Sequence, residues 1–128
     1  MSNIYIAGIA MTVFGRHVER PLDDLAREAL NGALKDAGCT TSDLGAAFYA
    51  GMTNGPLQGQ ISIPGQVVFS KIGVEGIPIY NIENACASGS AAIYAACDAI
   101  ESGRAKIALV VGAEKMTDVS GADVTRIL

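Results

Sequence analysis

The chain has 128 residues, half of them hydrophobic and 17% charged, with a formal net charge of −4. That length supports a real core and the composition excludes a disordered chain, while nine scattered Lys/Arg residues without a basic run leave no electrostatic footprint for nucleic acid. No apolar run reaches the ~18 residues of a membrane span, and no positive stretch precedes the apolar N-terminus as a signal peptide would require. The expectation is a cytoplasmic protein with no membrane contact.

In chain order, residues 3–10 (NIYIAGIA) read as a buried strand, being short, apolar and β-branched. A polar loop follows. Residues 22–37 then show the clearest periodicity, with Leu22, Leu25, Ala26, Ala29, Leu30, Ala33, Leu34 and Ala37 at steps of three and four. That is the stripe of an amphipathic helix. Pro21 marks its start, Asp23 and Asp24 favour its positive end, and Gly38 stops it.

Residues 46–52 suggest a second strand, and 53–60 (TNGPLQGQ) a turn-rich loop. Residues 62–73 carry a shorter helix, with Pro64 near its first turn and Gly73 past its end. Residues 77–84 (IPIYNIEN) read as a third strand, 86–102 as a helix ended by Gly103, and 105–113 as a fourth strand buried on both faces. From about residue 115 the tail gives no firm signal. The alternation predicts an α/β fold with a largely parallel sheet and helices on both faces. Neither a GxGxxG after the first strand nor a GxxxxGK[ST] is present, so nucleotide sites of those types lack support.

Of the residues in 86–100, nine of fifteen are Ala, Ser or Gly, with no charge before Asp98. Such a helix packs backbone close to backbone and is expected to be buried between layers. Cys86 stands where the third strand hands over to it. There the first helical N–H groups lack intrahelical partners; they favour an anion and can donate to an oxyanion formed when sulfur attacks a carbonyl. Ala85, Ala87, Ser88 and Gly89 leave room for a substrate. A nucleophile on a sharp strand-to-helix turn is a recurrent device of acyl-transfer enzymes. A buried space-filler is the competing reading for any free cysteine, and it is the reading taken for Cys39 and Cys97. The three cysteines are odd in number, lack metal-ligand spacing and are expected as free thiols with no metal. The single histidine, His17, reads as a solvated loop residue, so no base of the usual kind is in evidence for Cys86.

Taken together these pieces resemble the N-terminal part of a thiolase, along nearly the whole chain. The opening strand with FGR, AGMTNGPLQGQ, PIYNIENACASGSAA and VVGAEKM (110–116) follow in the family's order. Cys86-Ala87-Ser88-Gly89 is similar to its C-x-S-G, and Gly-Ala-Glu-Lys-Met is most like the form in sterol-carrier-protein-type thiolases. The resemblance implies a thiolase-like N-terminal half-domain, with Cys86 taking an acyl group from acyl-CoA as a thioester. A second acyl-CoA, deprotonated at its α-carbon, attacks that thioester; thiolysis of a 3-ketoacyl-CoA, as in fatty acid metabolism, is the reverse. No cofactor is implied beyond the coenzyme A thioester that serves as substrate. The family also implies a homodimer or tetramer paired through edge strands, IPIYNIEN supplying the strand here, and for sterol-carrier-type relatives a separate OB-fold, zinc-ribbon partner.

The chain departs from the family in length. The activating histidine, the second acid/base cysteine and a further oxyanion-binding glycine belong to a second half that nothing in these 128 residues matches. Residues 1–128 are therefore expected to be the nucleophile-bearing part, with the C-terminal half absent and slow acylation or none in isolation. Two other readings compete. A ketoacyl synthase relative, working on acyl carrier protein, has the same fold and cysteine. A non-catalytic thiolase-like scaffold subunit would explain the missing base.

Overall fold

The computed structural model describes residues 3–128. Its centre is β1 (Ala46–Ala50), in which all five residues are buried. Side chains on a strand alternate between faces, so Ala47 and Tyr49 enter one core while Ala46, Phe48 and Ala50 enter the other. β2 (Ile79–Ile82) and β3 (Ala108–Gly112) flank it, both parallel to it, giving the order β2-β1-β3. Phe48 sits opposite Tyr80 on one side and Val110 on the other. Its ring stacks on Tyr80 at 4.9 Å between centroids.

Helices cover both faces, as the alternating pattern predicts. On one, α1 (Leu22–Ala37) contributes Ala26 and Leu30, and α3 (Pro64–Lys71) contributes Val68 and Phe69. The Phe69 ring meets Tyr49 edge-on at 5.9 Å, an arrangement that adds to area burial. α1 begins after Pro21, carries Asp23 and Asp24 in its first turn, and ends at Gly38 with a φ of +67°. The Cys39 N–H then bonds Leu34 O at 3.1 Å, satisfying one of the orphan carbonyls of the helix end. On the other face, α4 (Ser88–Glu101) buries Ala92, Ala96 and Ala99 against Ala46, Phe48 and Ala50.

Several expectations are corrected. The sheet has three strands among the described residues, because residues 3–10 are extended but unpaired. Ile4–Ala10 and β3 both line an apolar cleft of about 400 Å³, and no ladder joins them. The segment instead leans on α1: a Cβ on Gly8 would lie 2.3 Å from Ala33 O, and the Ile9 N–H bonds the Asp36 carboxylate at 2.9 Å. Tyr5, Ile6 and Ile9 are left exposed. The loop expected at 53–60 contains a short helix, α2 (Asn54–Gln58), closed by Gly59 at a φ of +71°. The tail holds α5 (Gly121–Ile127), whose cap is Ser120 accepting from the Asp123 N–H. β3 is not sealed on both faces; Leu109 and Val111 are buried and their neighbours less so. Nor is α4 buried all round, since Ile93 is 50% and Tyr94 76% exposed. Its small residues face the sheet, and its bulky ones face away.

Gly65 fixes the approach of α3 to the sheet. A Cβ there would lie 2.6 Å from Tyr49 Cβ and 2.7 Å from Asn81 Oδ1, and the Gly65 N–H already donates to that oxygen at 2.6 Å. Overpacking of this kind costs about 1–3 kcal/mol. We expect Gly65→Ala to lower the unfolding free energy by that amount, read as a lower urea midpoint with the slope of the transition unchanged; an unshifted midpoint would show that the helix slides freely.

Candidate active site

All three strands run the same way, so their carboxyl ends share one edge of the sheet, the usual position for sites in open α/β folds. Three connections meet there. The loop after β1 (Gly51–Thr53) bonds across to β2, Gly51 N–H to Ile82 O at 3.3 Å. The chain after β3 bonds back to β1 through Ala113 N–H and Ala50 O at 3.3 Å. The third connection joins β2 to α4 and carries Cys86.

That connection is a five-residue elbow, 83–87, with Cys86 exposed in it. Ala85 has a φ of +47°. An alanine in the left-handed region costs on the order of 1 kcal/mol, so something must hold it. The Ala85 N–H donates to Glu83 Oε1 at 2.6 Å. The Asn84 N–H donates to Ser88 Oγ at 2.8 Å, and that hydroxyl donates in turn to Ala85 O at 2.7 Å. Backbone bonds from Ala87 N–H to Asn84 O (2.9 Å) and from Ser88 N–H to Ala85 O (3.1 Å) complete the turn. Among the described residues, the N–H groups of Cys86, Gly89 and Ser90 reach no protein acceptor. They are the donors an anion beside the sulfur would meet.

Cys86 lies two residues before the helix rather than within it. Cys39 and Cys97 are half-buried and line the cleft between residues 4–10 and β3, away from this edge. His17 bonds Val13 O of its own loop at 2.7 Å; the structure does not bring it to Cys86. A second pocket, of about 500 Å³, opens beside the elbow, with Met52, Asn54, Ile61, Ile63, Asn81 and Glu83 among its walls.

The segment 114–118, where the sequence gives no structural signal, ties this edge together. The Glu114 carboxylate accepts from the Met52 and Thr53 N–H groups and the Thr53 hydroxyl. Lys115 is buried, its ammonium donating to Thr117 Oγ1 at 3.1 Å, Val18 O at 3.4 Å and the Asp118 carboxylate. The buried Tyr49 hydroxyl donates to Ala113 O at 3.0 Å, and burial pushes its phenol well above the usual range.

The family model described as the N-terminal domain of thiolase matches residues 4–127. The chain belongs to the thiolase family. It is 34% identical to an acetyl-CoA acetyltransferase of Methanothermobacter thermautotrophicus over 119 residues, covering 93% of this chain and 31% of that protein. It is likewise 34% identical to sterol carrier protein 2 of Gallus gallus over 115 residues, covering 88% of this chain and 20% of the other. The thiolase-family chain thus spans a third or less of the length of these relatives. Among solved structures, an acetyl-CoA acetyltransferase from Syntrophomonas wolfei superposes with a TM-score of 0.68 at 29% identity, covering 82% of this chain and 27% of that one. The 3-oxoacyl-[acyl-carrier-protein] synthase III of Aquifex aeolicus does so with 0.67 at 29% identity, covering 78% and 32%.

Sequence reasoning locates Cys86 but misses its supports. Glu83 stands in no motif, and Ser88 enters only as part of C-x-S-G; the signal available for its bracing was a hydroxyl at the first helical position, close enough to reach back to the turn. Lys115 was hidden because a lone lysine reads as solvated.

The Lys115 hydrogen bond, first among its causes, holds the Asp118 carboxyl below its ordinary range. A depressed carboxylate contributes stability that is present above its unfolded value near 3.9 and is lost as pH falls through the lower folded value. In urea titrations between pH 6 and pH 2.5, Asp118→Asn should flatten the acid limb below about pH 4. An acid limb as steep as the parent's would remove Asp118 from that linkage.

Proposed function

We propose that residues 1–128 are the nucleophile-bearing part of an acyl-CoA thiolase, with Cys86 as the acyl acceptor. The observation that carries this is the exposed thiol on a strained, cross-braced elbow at the carboxyl edge of the sheet. In the reaction, the Cys86 sulfur attacks the thioester carbonyl of acyl-CoA. The new carbon–sulfur bond forms, the bond to coenzyme A breaks, and the thiol proton leaves with the coenzyme A sulfur. In this reading the Cys86 N–H, which has no backbone acceptor, donates to the oxyanion as it forms. An α-carbanion of a second acyl-CoA then attacks the acyl-cysteine and expels the thiolate. The base that activates the thiol and removes the α-proton comes from outside these residues. Names among the relatives, acetyl-CoA acetyltransferase for one, support the acyl-CoA class.

A second reading, a condensing enzyme fed by acyl carrier protein, is favoured by the synthase III neighbour. The donor separates the two. With the thiolase half supplied in its complete protein, acetyl-CoA should leave a +42 Da adduct (the mass of an acetyl group replacing hydrogen) on Cys86, seen by mass spectrometry. Cys86→Ser should abolish it, and Cys39→Ser and Cys97→Ala should leave it intact. Losing the nucleophile should slow turnover by at least the ~10²–10³ that one oxyanion donor is worth. An adduct that maps elsewhere, or one formed only from acetyl carrier protein, overturns the acyl-CoA assignment.

We further propose a homodimer paired along β2. This strand is an edge of the sheet, and an unpaired edge is an aggregation liability unless covered. Sedimentation at micromolar concentration should give a dimer or a multiple of it; a clean monomer would refute this. A separate OB-fold, zinc-ribbon subunit is the further partner carried by the likeness to sterol-carrier-type thiolases.

A further inference from the structure

We propose that Ser88 is the positioning residue of the elbow: its hydroxyl, with Glu83 as a second brace, keeps Ala85 left-handed and so sets where the Cys86 thiol stands. This rests on Cys86 being the acyl acceptor, but the geometry stands by itself.

Ala85 has no side chain able to stabilise a φ of +47°. A glycine would adopt that conformation freely; alanine adopts it only when its surroundings over-determine it. Both of its backbone polar groups are engaged. The N–H is taken by Glu83 Oε1 at 2.6 Å, and the carbonyl by Ser88, through its hydroxyl at 2.7 Å and its N–H at 3.1 Å. The Ser88 oxygen also accepts from the Asn84 N–H at 2.8 Å, so one buried hydroxyl links two consecutive residues of the turn. Ser88 is itself fixed, because it opens α4 and that helix is anchored on the sheet through Ala92, Ala96 and Ala99. The order of α4 is thereby transmitted to the peptide immediately before the nucleophile. Glu83 is exposed and holds only the N–H. Ser88 is the stronger brace.

Two readouts test this in the 128-residue protein. A residue at positive φ has a short intraresidue Hα–HN distance, so Ala85 should give an intense cross-peak in NMR spectra. Separately, p-nitrophenyl acetate, an activated acyl donor that needs no enzyme base, reports the rate of Cys86 acylation through release of p-nitrophenolate. Ser88→Ala should weaken the cross-peak and slow acylation about tenfold, as expected for losing two hydrogen bonds to a strained turn. Ser88→Thr, which keeps the hydroxyl, should retain most of both. The decisive variant is Ser88→Ala combined with Ala85→Gly. Glycine needs no brace to remain left-handed, so the rate should return to within about threefold of the parent. A merely structural role for Ser88 predicts no such rescue. If Ser88→Ala fails to fold, Glu83→Ala at the exposed brace should show the same effects in smaller degree. Unchanged cross-peak and rate in Ser88→Ala, or in Glu83→Ala should that variant be needed, would overturn the proposal; so would an Ala85→Gly double variant no faster than the single. An acetyl-CoA adduct that fails to form on Cys86 while these results hold would instead overturn the acyl-CoA reading alone.

Discussion

A strand buried on both faces is the constraint from which the rest of the structure follows. β1 has no exposed residue, so it needs a layer above and a layer below and a hydrogen-bonded neighbour on each edge. Parallel neighbours meet the second demand but cannot be joined by tight turns. Each crossover must therefore travel over a face as a helix, which supplies the two layers. The consequence for chemistry is geometric. Every strand finishes at the same edge, and every loop after a strand starts there. The elbow that carries Cys86, the Met52–Thr53 turn and the Glu114 carboxylate meet because the sheet is parallel, not because they are near in sequence.

The two helical layers do different work. α1 and α3 bring bulky residues, Leu30, Val68 and Phe69, to a broad core. α4 brings only alanines. Alanine burial yields little hydrophobic free energy per residue, since it scales with area. What α4 gains is closeness: with no bulk between helix and strand, its axis and its first turn are fixed relative to β1. Cys86, two residues ahead of that turn, is held relative to the same anchor. Strain at Ala85 is then tolerable, because the anchor that holds it does not move.

Legibility in the sequence divided along physical lines. Long, one-sided periodicity in 22–37 gave a helix that the structure reproduces from Leu22 to Ala37, and the runs read as strands at 46–52, 77–84 and 105–113 contain shorter true strands, Ala46–Ala50, Ile79–Ile82 and Ala108–Gly112. The run NIYIAGIA carries the same signal and is not a strand. Composition reports that a segment suits a sheet; it does not report whether a partner edge is within reach, and here the segment pairs with no strand. The all-round apolarity of α4 misled in a related way. Its sheet-facing stripe is small and its outward stripe holds Ile93 and Tyr94, so volume, not polarity, distinguishes its faces. At the site, Cys86 was legible through its position and the C-x-S-G pattern. The bracing was not: Ser88 stands in that same pattern, but its two hydroxyl bonds to Asn84 and Ala85, and the one bond of Glu83, depend on how the turn folds and not on residue order.

The chain is similar to both an acetyl-CoA acetyltransferase and a 3-oxoacyl-[acyl-carrier-protein] synthase III at the same identity and nearly the same TM-score, and the bonds of its elbow do not favour one over the other. Each bond that shapes the elbow runs between residues 83 and 88, and every one has a backbone atom at one end at least. Nothing in that set of bonds recognises an acyl donor. Coenzyme A and a carrier protein both present a thioester, and they differ only at the far end of the thiol arm, well beyond the sulfur. On the proposed role of Cys86, a turn that meets only the reacting carbonyl is indifferent to that difference. On that same role, donor choice falls to surfaces remote from Cys86, because the bonds of the elbow take no part in that choice.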